Sequence, residues 1–288
     1  MEKIKVNLIG AGRVGQTVLG LLRRSPRYSV QDILSSRLSS AESAVQFAGT
    51  GRAVEQYADL APADLWILAV PDSQISVAAA EIATVFGQCD VREPSPVAFH
   101  CSGFFPADQM ASLRKLGWRV ASVHPALTFA EPATSMQHFE GTLCGIEGDE
   151  SAIDFIEDFL NEIGAIPFLI NSDSKSLYHA AAVISNNFTV VLQAIAREAW
   201  AKSGVPDDIA KHLNTKLLQA TCENVAAHGP LGALTGPASR GDTFVVSQQG
   251  KDVAAWHPTA GVIYKELSLL AQKLKADGKT QDEFCPEA

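Results

Sequence analysis

Three groups of residues in this chain could do chemistry: a glycine loop, histidines closing apolar runs, and a lysine–tyrosine–histidine group at a helix start. The loop is Gly10-Ala11-Gly12-Arg13-Val14-Gly15, which follows the apolar run Val6-Asn7-Leu8-Ile9 and opens a helical pattern. In that setting Gly10 allows a tight turn, Gly12 lets the backbone approach a pyrophosphate, and Gly15 lets a helix close on a strand. The helix N-terminus adds unpaired N–H groups and the positive end of its dipole. An NAD site usually carries Asp or Glu about 20 residues after the motif, accepting from a ribose hydroxyl. Here the second strand ends Leu34-Ser35-Ser36-Arg37, and Asp32 comes too early. Two hydroxyls and a guanidinium suit a 2′-phosphate, so NADP(H) is expected over NAD(H), with Arg13 as a second positive group and Val14 beside it. The plain alternatives are a glycine turn without a nucleotide and a solvated turn holding one arginine.

In open α/β sheets ligands bind beyond the carboxyl ends of the strands. Val70-Pro71-Asp72-Ser73 is one such end, where Asp72 or Ser73 reads most simply as a helix cap and proximity to the cofactor follows from position. Phe99-His100-Cys101-Ser102-Gly103 is a second, with His100 and Ser102 expected near the cofactor. The third is Ser122-Val123-His124-Pro125, continuing to Thr128. His124 would orient or polarise the reacting atom, and Ser102 and Thr128 would contact the substrate. Cys101 reads as a small buried thiol. His100 beside Cys101 is not a metal-ligand spacing, and no metal is expected. Further on, Lys175 and His179 share one helix face, with Tyr178 close to it. Lys175 or His179 is expected to donate a proton. Asn186, about two turns later, either lines a substrate cleft or bonds a neighbouring helix. Arg240 could hold a substrate carboxylate bidentately.

These residues need elements to position them. Through residue 170 short apolar runs alternate with amphipathic stretches, with strands expected at Lys5–Ile9, Val30–Ser35, Leu65–Val70, Val97–His100, Val120–Val123, Thr142–Glu147 and Ile166–Ile170. Such alternation predicts an α/β, doubly wound sheet. Beyond Ser174 no strand pattern remains, and helices are expected over Ser174–Ser203, Pro206–Ala227 and His257–Ala276, before a polar tail. The centre of the first is apolar nearly all round, which predicts burial on every side. The expected organisation is therefore residues 1–170 as a Rossmann-like NAD(P)-binding domain and 171–288 as an all-helical domain for substrate and dimerisation.

Composition narrows the partners. The chain has 288 residues, 23 Lys and Arg against 32 Asp and Glu, and a net charge of −9. No basic footprint exists for a nucleic-acid backbone or an anionic membrane. Five scattered cysteines (Cys89, Cys101, Cys144, Cys222, Cys285) suggest neither a disulfide framework nor a zinc knuckle. The N-terminal residues run into a strand without a signal-peptide pattern, and the apolar helix is interrupted by Ser185, Asn186, Asn187 and Gln193. The expectation is a soluble cytoplasmic protein.

Taken together, Gly10–Gly15, Val70-Pro71-Asp72, His100-Cys101-Ser102-Gly103, His124-Pro125, Lys175–His179 and Leu234–Asp242 resemble one family along nearly the whole chain. It is the group of Rossmann-like NADP oxidoreductases with a C-terminal helical domain of unknown function. Their layout is similar to that of pyrroline-5-carboxylate reductase, the β-hydroxyacid dehydrogenases and the deazaflavin-dependent NADP reductases. The resemblance implies a C-terminal domain like that of 6-phosphogluconate dehydrogenase, a homodimer with interlocking helices, and an active site between domains. In β-hydroxyacid dehydrogenases a lysine followed four residues later by asparagine acts at the start of the long helix; here Lys175 is followed by His179. The expected function is NADP(H)-dependent reduction of a C=O or C=N bond in a small polar, carboxylate-bearing substrate. The alternative is a dinucleotide-binding regulator or scaffold without turnover.

Overall fold

The protein is described from a computed structural model covering residues 3–87 and 93–281, so Cys89, Cys285 and the end of the expected tail lie outside the described residues. Eight strands form one sheet: β1 (Ile4–Ile9), β2 (Tyr28–Leu34), β3 (Arg52–Val54), β4 (Leu65–Leu68), β5 (Val97–His100), β6 (Arg119–Pro125), β7 (Leu143–Gly148) and β8 (Ile166–Leu169). Their spatial order is β3-β2-β1-β4-β5-β6-β7-β8. The order reverses beside β1, which is the arrangement that opens a binding crevice at the strand ends. Neighbours are parallel except β6 and β7, which run antiparallel from Ala121 with Gly148 to Pro125 with Cys144.

Helices α1 (Arg13–Leu22), α2 (Leu38–Ala48), α3 (Ile75–Phe86), α4 (Ala111–Arg114), α5 (Pro132–Gln137) and α6 (Glu150–Glu162) connect the strands. Successive strand residues serve opposite faces, as the period of two requires. Leu8, Ile67 and Phe99 join Leu19 and Phe159 in one buried cluster. Ile9, Leu68 and Ala98 join Ile75, Ala79 and Ile82 in the other. Coverage on both faces explains why these strands read as continuous apolar runs rather than alternating ones.

After β8 come α7 (Lys175–Val183), a π-helical turn (Ile184–Phe188), α8 (Thr189–Lys202), α9 (Asp207–Ala233), α10 (Pro237–Arg240), α11 (Thr243–Trp256) and α12 (Pro258–Asp277). The chain divides into two compact units, Met1–Ser185 and Asn186–Ala288. The first unit runs past the last strand because Ser172 and Lys175 bond back to Glu147 of β7.

The second unit has little interior of its own. Its buried apolar side chains among the described residues are Ala210 and Ala260. Trp200 Nε1 donates to Asn214 Oδ1 at 3.0 Å, joining α8 to α9. The helix expected to close at Gly229-Pro230 does break there, since Gly229 is non-helical with φ 69°, and a short further helical turn runs on to Ala233.

The expectation that the long helix is buried on every side fails for the single chain. Leu177 is 73% exposed, Ile184 60% and Val190 65%. By length and composition alone, Ser172–Lys202 could cross a membrane, with mean hydropathy 1.2 over its most apolar window, none of it buried. Apolar composition records what a helix can bury; the covering surface has to come from elsewhere.

Candidate active site

The glycine loop has the backbone its sequence implies. Gly10 has φ +101°, and a Cβ there would lie 2.3 Å from the Ala69 carbonyl oxygen, so only glycine lets the loop pass the end of β4. A Cβ on Gly15 would lie 2.1 Å from the Gly10 oxygen, which is the close helix–strand approach. At Gly12 a Cβ would meet nothing within 4 Å. That open space lies at the N-terminus of α1, where unpaired N–H groups can receive a phosphate. Arg13 is exposed and Val14 half-buried beside it.

At the end of β2, Ser35 Oγ accepts from Ala11 N–H at 3.4 Å, tying this strand end to the glycine loop. Ser36 and Arg37 are exposed. Asp32 is buried and fully engaged: it accepts from Arg52 Nε at 2.8 Å and from Ala61 N–H at 2.7 Å. The strand end thus holds hydroxyls and a guanidinium and offers no carboxylate, so these residues fit a dinucleotide bearing a 2′-phosphate. Beyond β4, Pro71 and Asp72 are exposed and Val70 is half-buried. Neither Asp72 nor Ser73 caps a helix; the turn Asp72–Gln74 and α3 both begin without a side-chain cap bond. The capping role is therefore corrected, and Asp72 stands free of that duty.

The two strand-end histidines differ. His100 is buried, its Nδ1 accepts from Ser102 N–H at 3.2 Å, and its Nε2 faces the Pro106 carbonyl at 3.0 Å. Burial pushes its pKa down to about 4, against the pull of the Pro106 carbonyl. With both nitrogens spent, the imidazole shapes the loop after β5 and has no atom left for a cofactor. Ser102 is also buried, with its Oγ accepting from Phe104 and Phe105 N–H.

His124 keeps one nitrogen in reserve. Its Nδ1 shares a 2.9 Å hydrogen bond with the Tyr178 hydroxyl. Its ring meets that of His179 edge-on, with centroids 5.4 Å apart. Burial pushes His124 down to about 4, helped by His179 and Lys175. Both imidazoles converge on Gly103: a Cβ there would lie 2.4 Å from His179 Nδ1 and 2.8 Å from His124 Nε2. His179 Nδ1 is buried and has no hydrogen-bond partner among the described residues. Gly145 does the same for Tyr178, since its Cβ would lie 2.6 Å from the hydroxyl. Burial raises the Tyr178 phenol above its usual range. The His179 Nδ1 is thus a buried polar atom whose hydrogen-bonding capacity no described residue uses.

Lys175 is placed differently from the exposed proton donor its position suggests. It is 1% exposed, and its Nζ donates to Ser122 Oγ and, at 3.1 Å, to Glu147 Oε1. Burial lowers its pKa, against the opposing pull of Glu147. Desolvation pushes the Cys101 thiol up to about 12, away from the thiolate form. Thr128 is exposed beyond β6. Asn186 and Arg240 belong to the second unit; Asn186 lies in the π-helical turn, and Arg240 pairs with Asp242 at 3.3 Å. No group of three metal-binding side chains occurs among the described residues. Sequence reasoning left Tyr178, Gly103, Gly145 and Glu147 unassigned. Glu147, a carboxylate inside the apolar run Leu143–Gly148, was the visible signal, because a buried acid needs a partner.

Comparison with known proteins agrees with this architecture. Residues 1–125 match a Rossmann-like domain, and residues 142–271 match a domain of unknown function, DUF2520. No curated protein matches in sequence. Among solved structures, protein TM1727 from Thermotoga maritima is 26% identical over 95% of this chain and 99% of its own, with TM-score 0.74. A candidate NADP oxidoreductase, BF3122 from Bacteroides fragilis, is 23% identical over 94% and 98%, with TM-score 0.71. Pyrroline-5-carboxylate reductase from Streptococcus pyogenes is 13% identical over 94% and 99%, with TM-score 0.60. The last two likenesses show the fold. The chain is thus one of the proteins that join an N-terminal Rossmann-like domain to a C-terminal DUF2520 domain.

Proposed function

We propose that the protein is an NADP(H)-dependent oxidoreductase that reduces a C=O or C=N bond of a small polar substrate. The observation that carries this reading is the convergence of His124, His179 and Tyr178 on Gly103 and Gly145, on the same strand-end side of the sheet as the glycine loop. The names of two structurally similar proteins, an NADP oxidoreductase candidate and a reductase, support it. When bound, the dinucleotide supplies the hydride. The chain's own residues do the rest. Gly10, Gly12 and Gly15 admit the pyrophosphate to the start of α1, and Ser35, Ser36 and Arg37 receive the 2′-phosphate. His124 is neutral near pH 7, so in the tautomer whose Nδ1 accepts from Tyr178 its Nε2–H donates a hydrogen bond that polarises the reacting atom. His179 Nδ1 holds the substrate's polar atom beside it.

The test is titration of the purified protein with NADPH and NADH, followed by nicotinamide fluorescence. NADPH binds more tightly, and Arg37→Gln removes roughly tenfold of that preference, as loss of one charge-assisted bond should. Absence of NADPH binding ends this reading. Tight NADPH binding without turnover of any carbonyl or imine would favour the regulator instead.

We further propose that two copies associate through the exposed apolar face of the long helix, making a cytoplasmic homodimer. An apolar stretch of this kind, interrupted by Asn186 and Asn187, is better matched by a protein surface than by lipid tails. Phe188→Ser, at a position 53% exposed in the single chain, shifts the sedimentation coefficient toward the monomer; an unchanged dimer refutes this interface.

A further inference from the structure

We infer that Lys175 and Glu147 are positioning residues: their buried contact sets Tyr178 and His179 over Gly145 and Gly103, and the Lys175 ammonium is not the proton donor. The inference uses the oxidoreductase reading only for the purpose of the device; its geometry stands apart from the cofactor.

The contact clamps two separate segments to the same pair of strands. Lys175 Nζ donates to Ser122 Oγ on β6, and the Ser122 hydroxyl donates onward to the Ser102 carbonyl at 3.2 Å. Glu147 Oε1, on β7, accepts from Lys175 Nζ and also from Ala107 N–H at 2.9 Å. The loop from Ser102 to Ala107 is thereby held at both ends, and Gly103 lies within it. Glu147 Oε2 accepts from Ser172 Oγ at 2.7 Å, in the turn just ahead of α7. Helix α7 is therefore anchored before its first residue and at its first residue. Tyr178 and His179 stand three and four positions on, one turn above the anchor on the same face.

A proton donor must aim its hydrogen at the reacting atom, whereas Lys175 Nζ is aimed at Ser122 Oγ and Glu147 Oε1. Its side chain is 1% exposed and Glu147 is 5% exposed, so the pair is enclosed by protein. Such a pair specifies one arrangement: its charges are satisfied only when loop, strand and helix meet in a single register. A helix that slipped would leave both charges buried and uncompensated.

The experiment replaces the pair together, Lys175→Met with Glu147→Leu, because apolar replacement of both members is tolerated where removal of one is not. The readout is the ultraviolet titration of the Tyr178 phenol, assigned by its disappearance in Tyr178→Phe. Circular dichroism and NADPH fluorescence serve as controls on the fold and the remote glycine loop. The double variant should stay folded and keep NADPH binding, while the Tyr178 transition falls toward 10, the ordinary phenol value, as the ring leaves its seat over Gly145. An unshifted Tyr178 transition overturns the positioning role. If the double variant does not fold, Glu147→Gln decides by the same readout, since it weakens the clamp while keeping its shape. Wild-type protein that fails to bind NADPH would overturn the proposed function and leave this readout intact.

Discussion

Strands β5 and β6 lie side by side, in register from Val97 with Arg119 to His100 with Ser122, and each leads into a histidine at its carboxyl end. By sequence both were expected at the site, His100 near the cofactor and His124 at the reacting atom. In the fold, His100 is buried with both ring nitrogens bonded within its own loop. His124 spends one nitrogen on Tyr178 and aims the other at Gly103. Burial holds both neutral, near pKa 4, so charge does not separate them. Free hydrogen-bonding capacity does. A strand-end histidine becomes a candidate for contact with a reacting atom only when the surrounding backbone leaves a nitrogen unspent.

Three measurements test that contrast. The largest effect belongs to His124→Asn, which should lower substrate-dependent NADPH oxidation by roughly 10²–10³-fold, the usual worth of one hydrogen bond aimed at developing charge. An unaltered rate would erase the distinction between the two histidines. His100→Ala should instead lower stability by roughly 2–4 kcal/mol, because Ser102 N–H and the Pro106 carbonyl lose their partner and a cavity remains. Urea unfolding measures this, and a cost under about 1 kcal/mol would show that the loop holds without the imidazole.

The third effect is pH dependence, shared by both positions. Each imidazole titrates near 4 when folded and near 6.5 when unfolded, so between those values the unfolded chain binds more protons. Stability is then fully present above pH 6.5 and is lost as pH falls toward 4. For the buried His100 the loss is on the order of 3 kcal/mol across that window. Urea midpoints between pH 4.5 and 7 should slope upward in wild type and more shallowly in His100→Gln. Equal slopes would place the effect elsewhere.

The cofactor loop was legible because its chemistry is local. Gly10 and Gly15 are required by backbone contacts within a few residues of themselves or across one strand, and Gly–x–Gly–x–x–Gly after an apolar run encodes that directly. The alternation of strands and helices was equally readable, with Val97–His100 falling where the pattern put it. The short β3 went unseen, because three residues carry no periodicity. So did the antiparallel setting of β7, since an apolar run has no direction until its neighbours are known. Lys175 was the instructive case. A lysine opening a helix suggests exposure, and only the approach of Glu147, 28 positions away, turns it into a buried clamp. Tyr178 gained its place the same way, from Gly145, which has no side chain to announce a role.

By itself, then, the sequence determined the class of fold, the glycine loop and the absence of a carboxylate at the end of β2. Each depends on short-range periodicity or on the backbone freedom of single residues. The tertiary structure alone decided which histidine keeps a free nitrogen, where Lys175 sends its ammonium, and which apolar helix face is left exposed. Those outcomes depend on partners brought together from distant positions, and hydrogen-bond satisfaction is a property of neighbours rather than of residues.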